Sequence, residues 1–164
     1  MSTDRPSPVG SGYVDLQLNG YAGVDFNGND LTAEAIRGVC QRLRSEGVAG
    51  FLPTVITDDL EVMAARLTRL ASLRTSDPLL TEMILGIHIE GPFISAAPGF
   101  VGAHPAERVR VPDVSEMDKL LHAAGGLTRI VTLAPELDAE LRVTRHLAEQ
   151  GITVAAGHCD PSLE

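Results

Sequence analysis

Three side chains with metal-binding chemistry fall where strands should end, each next to a glycine or a short loop. In Gly86-Ile87-His88-Ile89-Glu90-Gly91-Pro92, period-two alternation puts His88 and Glu90 on one face and Ile87 and Ile89 on the other. A carboxylate and an imidazole at a buried strand end cost solvation energy unless they pair with each other or bind a cation. Both outcomes are open from residue types alone. A second imidazole, His158, follows a later apolar run in Ala155-Ala156-Gly157-His158. With Glu90 at a neighbouring strand end, His158 completes a carboxylate–imidazole pair suited to zinc. A hydrolytic zinc site uses three protein ligands and keeps one position for water, and two good ligands are visible here.

Other polar positions are weaker by themselves. Asp15, Gln17 and Asn19 alternate along Asp15-Leu16-Gln17-Leu18-Asn19-Gly20, as a hydrogen-bonded strand end or as site-lining groups. His104 sits in the loop sequence Gly102-Ala103-His104-Pro105, either exposed or facing a substrate. His122 and His146 fall in helical stretches and are expected at the surface or in packing. Cys40 belongs to a helix core face, and Cys159 is a less favoured ligand beside His158. The sequence has no phosphate-binding Gly-Lys-Ser/Thr loop, no G-x-G-x-x-G, no G-x-S-x-G and no H-E-x-x-H.

The positioning elements read as alternating strands and helices. Expected strands are Tyr13–Leu18, Val48–Pro53, Met83–Ile89, Arg129–Leu133 and Ile152–Ala156. Expected helices are Thr32–Glu46, capped by Thr32 and closed by Gly47; Asp58 to about Leu73, with Asp58 and Glu61 spaced as a capping box; Ser115–Ala123, capped by Ser115; and Leu137–Gln150, ending at Gly151. Residues 91–114 make a long Gly- and Pro-containing loop. Apolar strands alternating with helices indicate parallel βα units, with active groups at the carboxyl ends of the strands. Five strands leave a choice between a small open sheet and part of a (β/α)8 barrel.

With 164 residues, one domain can bury a real core. Residues 1–12, rich in Ser, Pro and Gly, are expected to form a disordered leader ahead of a single unit spanning 13–164. Thirteen Lys and Arg against 22 Asp and Glu give a net charge of −9. That balance argues against binding nucleic acid or an anionic membrane surface. Two cysteines provide no disulfide framework, and a cytoplasmic location is the expectation. No stretch reaches the roughly 20 apolar residues of a membrane span.

Five motifs then occur in order: Asp-Leu-Gln-Leu-Asn-Gly at 15–20, His-Ile-Glu-Gly-Pro-Phe at 88–93, Gly-Ala-His-Pro at 102–105, Val-Thr-Leu-Ala-Pro-Glu at 131–136 and Ala-Gly-His at 156–158. Together they resemble the N-acetylglucosamine-6-phosphate deacetylase family of the amidohydrolase superfamily, over roughly residues 13–164. The resemblance implies an α/β fold, a partial (β/α)8 TIM-type barrel of about the first five βα units. It implies hydrolysis of the acetamide of an amino-sugar phosphate to acetate and the free amine. It implies Glu90 and His158 as metal ligands, Ala103 and His104 at the substrate, and Gln17, Asn19 and His88 lining the site. Gln17 and Asn19 occupy the place of the superfamily's His-x-His, so one divalent cation, zinc first, is expected. The family's third ligand and catalytic Asp would fall beyond Glu164, so no catalytic base is assigned within this sequence. The chain thus reads as shortened at both ends relative to an enzyme expected to be a homo-oligomer. The alternatives are an inactive piece or a half-barrel needing a complementary piece, and an unrelated small α/β binding protein. Open sheet edges lead one to expect poor stability and self-association.

Overall fold

The computed structural model describes residues 12–161; the expected leader at 1–12 therefore lies almost wholly outside the described residues. The chain begins with β1 (Tyr13–Leu18) and a hairpin of β2 (Gly20–Tyr21) and β3 (Val24–Asp25). Ala22 and Gly23, both at positive φ, make the two-residue turn whose twist suits a tight hairpin. Four α/β elements follow: α1 (Ala33–Ser45), β4 (Val48–Ile56), α2 (Leu60–Ser76) and α3 (Pro78–Met83). The remainder is β5 (Ile87–Glu90), α4 (Val114–Ala123), β6 (Thr128–Leu133), α5 (Arg142–Glu149) and β7 (Thr153–Ala156). A 3-10 turn at Ala106–Arg108 interrupts the long loop after β5.

The main sheet has the order β1-β4-β5-β6-β7, with every neighbouring pair parallel. It curls into a half-barrel with helices along the outside, which decides between the two sheet architectures that five strands allow. Ile87 and Ile89 of β5 are fully buried against the helical layer, together with Phe51 and Val55 of β4 and Val131 and Leu133 of β6. Helix α1 contributes Ile36, Val39, Cys40 and Leu43 to that core, as its 3.6-residue spacing requires. Each such aliphatic side chain stabilises the fold by about 1.5–3 kcal/mol relative to exposure. Phe26, in the loop after β3, stacks on Phe51 with ring centroids 5.7 Å apart. The opposite face of β5 carries His88 and Glu90, in register with Thr54 and Ile56 of β4 and with Ile130 and Thr132 of β6.

Several expected boundaries move for identifiable reasons. Thr32 does cap α1, accepting from the Ala35 N–H at 3.2 Å, and Gly47 takes φ +91°. The Asp58–Glu61 capping box does not form. Asp58 instead pairs with Arg66 at 2.9 Å, and Asp59 holds the cap position of α2 without a side-chain bond. Helix α4 is capped by Asp113, which accepts from the Glu116 N–H at 2.9 Å, and not by Ser115. The expected strand from Met83 begins only at Ile87, because Asp77 caps a short helix that Pro78 opens and Met83 closes. The expected helix from Leu137 is two 3-10 turns, Pro135–Leu137 and Ala139–Leu141, before α5. Buried Asp138 caps α5, accepting from the N–H groups of Val143 at 3.1 Å and Thr144 at 2.8 Å and from the Thr144 hydroxyl at 2.7 Å. Finally, the strands are not all buried on both faces. β1 is an edge strand with Tyr13, Val14 and Leu16 exposed, and β7 is the other edge, half-exposed.

Candidate metal centre

Glu90 is the last residue of β5 and is 5% exposed. Gly91 follows at φ +80°, and a Cβ there would stand 2.1 Å from the Thr57 hydroxyl. The chain can therefore turn away directly behind Glu90 only with glycine at this position. Glu90 Oε2 accepts from the Gln17 side-chain amide at 3.0 Å, so edge strand β1 reaches across to orient the carboxylate. Glu90 Oε1 faces two imidazoles: His158 Nε2 at 3.0 Å and His104 Nε2 at 3.7 Å. With protons on their Nε2 atoms, His104 first and His158 after it lower the pKa of the carboxyl, against the opposing effect of burial.

His158 follows β7 with φ +52°, a left-handed conformation that a non-glycine residue adopts only when its surroundings impose it. The surroundings here are specific. Its carbonyl accepts from the Ser95 N–H at 2.8 Å, and its Nδ1 donates to the Phe100 carbonyl at 2.8 Å. Two glycines leave room for it: a Cβ on Gly157 would meet Thr132 Cγ2 at 2.6 Å, and one on Gly102 would meet the His158 ring at 3.1 Å. The loop after β5 thus folds back over the end of β7 and fixes the ring. The same loop delivers His104, which is buried rather than exposed as one reading of the loop allowed. Its ring meets His158 edge-on, with centroids 4.5 Å apart.

Ligand atoms of Glu90, His104 and His158 all lie within 4.8 Å of one another. Because the Phe100 carbonyl can only accept, a neutral His158 carries its proton on Nδ1 and turns a lone pair from Nε2 toward a carboxylate oxygen. Two acceptors at 3.0 Å repel unless a proton or a metal ion lies between them. One carboxylate with two imidazoles, at least one of them fixed by a bond from its other nitrogen, is a donor set that fits a zinc-like cation. Sequence reasoning put two ligands here; the fold adds a third donor, since His104 arrives from a loop whose course has no periodicity to reveal it.

The remaining expected positions distribute as follows. His88 shares the face of Glu90 but makes no hydrogen bond to it. Its Nδ1 donates to the Leu16 carbonyl at 3.1 Å and its Nε2 accepts from the Thr132 hydroxyl at 2.8 Å. Burial pushes its pKa down, consistent with a neutral ring tying β1, β5 and β6 together. The simple buried His88–Glu90 pair is therefore corrected: each has other partners. Asn19 is exposed, and its backbone carbonyl accepts from the Phe26 N–H at 3.0 Å. Ala103 is exposed beside buried His104. Cys159 stands outside the three-donor group, and Arg108 is paired with Asp59. His146 bonds Asp118 at 2.6 Å between helices α4 and α5, away from this cluster. Thr57 was missed; a lone hydroxyl at a strand end gives no sequence signal. No described helix is long and apolar enough to cross a membrane.

No family model matches the chain. Among curated proteins it is 36% identical, over 98% of its length, to N-acetylglucosamine-6-phosphate deacetylase of Bacillus subtilis, of which it covers 43%. It is 39% identical over 90% of its length to the Bos taurus enzyme of the same name, covering 36% of it. A protein named N-acetylgalactosamine-6-phosphate deacetylase, from Escherichia coli O157:H7, is 34% identical over 89% of the chain, which covers 37% of that relative. Among solved structures, a Mycobacterium smegmatis N-acetyl-D-glucosamine-6-phosphate deacetylase variant in complex with N-acetyl-D-glucosamine-6-phosphate superposes with TM-score 0.78. The identity is 32%, over 92% of this chain and 37% of that one. The chain therefore spans about two fifths of the length of the relatives it matches.

Proposed function

We propose that this chain, homologous over most of its length to N-acetylglucosamine-6-phosphate deacetylases, carries the metal-holding part of an amide hydrolase acting on an N-acetylated amino-sugar phosphate. The observation that carries the reading is the convergence of Glu90 Oε1 and His158 Nε2, 3.0 Å apart, with His104 alongside. The substrate class comes from the names of the relatives. One of them is named for the galactosamine sugar, so the epimer processed is not fixed by the resemblance.

In this reading Glu90 and His158 hold one divalent cation, zinc first. When bound, such a cation supplies Lewis-acid polarisation of the acetamide carbonyl and lowers the pKa of water. Gln17 keeps the Glu90 carboxylate turned inward, and the Phe100 carbonyl keeps His158 Nε2 free to bind. His104 and its exposed neighbour Ala103 face the sugar, with Asn19 and His88 at the margins. The resemblance assigns a further His ligand, and an Asp that moves the proton from water to the leaving amine, to positions beyond Glu164. Turnover to acetate and the sugar amine rests on those groups as well. The second reading, a half-barrel that is silent without a complementary piece, is favoured by the two exposed sheet edges. Two free cysteines suit a reducing cytoplasm, and the open edges suit self-association.

Cobalt titration of the full chain, followed by its visible absorption, tests the ligand assignment. One equivalent should bind, and Glu90→Gln and His158→Asn should each weaken binding more than about tenfold. Failure of the wild type to bind Co2+ or Zn2+ removes the metal reading. Acetate release from N-acetylglucosamine 6-phosphate by this chain alone with Zn2+ would refute the silent half-barrel.

A further inference from the structure

Edge strand β1 is irregular where it passes the metal centre. Asp15 stands opposite Phe51 and Leu18 opposite Pro53, so an advance of three residues along β1 is matched by two along β4. One extra residue is lodged at Leu16–Gln17, the count of a β-bulge, which bends a strand and re-aims a side chain. Side chains hold the backbone groups there. The Gln17 N–H donates to Asp15 Oδ1 at 3.0 Å, and the Leu16 carbonyl lies 3.1 Å from His88 Nδ1. A carbonyl can only accept, so the ring proton is on Nδ1, and Nε2 receives the Thr132 hydroxyl at 2.8 Å. One neutral ring satisfies both contacts. His88 is 3% exposed and is thus clamped between β6 and the bulge. The side chain that follows Leu16 is Gln17, whose amide donates to Glu90 Oε2 at 3.0 Å. His88 and Glu90 share a face of β5 without bonding each other, and the bulge joins them.

We propose that His88 is a positioning residue for the metal centre: through the Leu16 carbonyl it holds the bulge in β1 that aims the Gln17 amide at Glu90. With Oε2 engaged in this way, Glu90 keeps Oε1 toward the imidazoles. The aim of Gln17 is a property of the chain alone; only its effect on a bound cation rests on the reading of Glu90 as a ligand.

The first test is NMR of the metal-free, isotope-labelled full chain at about pH 8, above the ordinary imidazole pKa of about 6.5. The wild type should show His88 protonated on Nδ1 and nuclear Overhauser contacts from the Gln17 side-chain amide to the Glu90 methylenes. His88→Asn, which keeps an N–H donor near the place of Nδ1, should retain those contacts, and His88→Leu should lose them. A wild-type His88 protonated on Nε2 overturns the proposal whether or not a variant folds. So do Gln17–Glu90 contacts that survive in His88→Leu. The second test is Co2+ titration. His88→Leu should weaken binding about tenfold in the wild-type background. In a Gln17→Leu background the same change should cost less than about twofold, because the group it acts through is gone. Equal losses in both backgrounds overturn the proposal. So does a lowered urea midpoint with unchanged cobalt affinity, the mark of a residue that only stabilises the sheet. If the wild type binds no Co2+, the ligand reading fails while the NMR result still decides the aim of Gln17, so the two failures are distinguishable.

Discussion

The Glu90 carboxylate is the residue on which the centre turns, since it accepts from Gln17 through one oxygen and meets both imidazoles through the other. The His104 contact first, and the His158 contact after it, hold its pKa below the ordinary 4.5. A depressed carboxyl stabilises the folded state at all pH values above its unfolded pKa, and that stabilisation is lost as pH falls through the folded value. Melting temperature should therefore fall more steeply in the wild type than in Glu90→Gln as pH drops below about 4.5. Parallel curves would contradict the role given to this carboxylate. The cysteines provide an independent check. Burial pushes the Cys40 thiol up to about 11, whereas Cys159 is half-buried at the mouth. An aromatic disulfide reagent at about pH 8 should consume one thiol quickly and the second only on unfolding. His88 and Glu90 were adjacent candidates in the sequence, yet they part in the fold. Alternation tells which face a side chain occupies but not which cross-strand group it finds.

At the level of elements, what the sequence reveals best are helices with full apolar periodicity, and what it hides are caps supplied from a distance in the chain. The spacing of Ile36, Val39, Cys40 and Leu43 defines α1 almost to the residue. Helix α5 starts at Arg142, later than the expected Leu137, because Asp138, a few residues upstream, satisfies its first N–H groups and lets the intervening chain form 3-10 turns. Asp138→Ala should destabilise by roughly 2 kcal/mol, because it orphans two backbone donors, while Ser115→Ala should stay within about 0.5 kcal/mol. Urea midpoints of the two variants decide it. The turn after β5 is a second point of sensitivity. Gly91→Ala combines a left-handed φ with displacement of the Thr57 hydroxyl. It should cost about 1–3 kcal/mol in the same measurement and should weaken Co2+ binding as well. A variant that loses neither stability nor cobalt affinity would show that the turn tolerates a side chain.

For the whole molecule the half-barrel sets the behaviour. Among the described residues its edges are β1 and β7, and β1 exposes Tyr13, Val14 and Leu16. Such an edge pairs readily with other chains. Sedimentation of the full chain should show concentration-dependent association, reduced by Leu16→Lys, which places a charge on the exposed edge. An ideal monomer at all concentrations would show that the edge is protected. The sequence by itself determined the parallel βα class, the helix core faces and the strand-end positions of Glu90 and His158, because periodicity and glycine punctuation are local properties of the chain. Only the tertiary structure decided that the loop after β5 folds over β7, that His104 is buried as a third donor, and that Gln17 bonds Glu90 and Thr57 bonds His104. Those contacts join residues 47 to 73 positions apart. They exist because the curl of the sheet brings strand ends together, which no local pattern encodes.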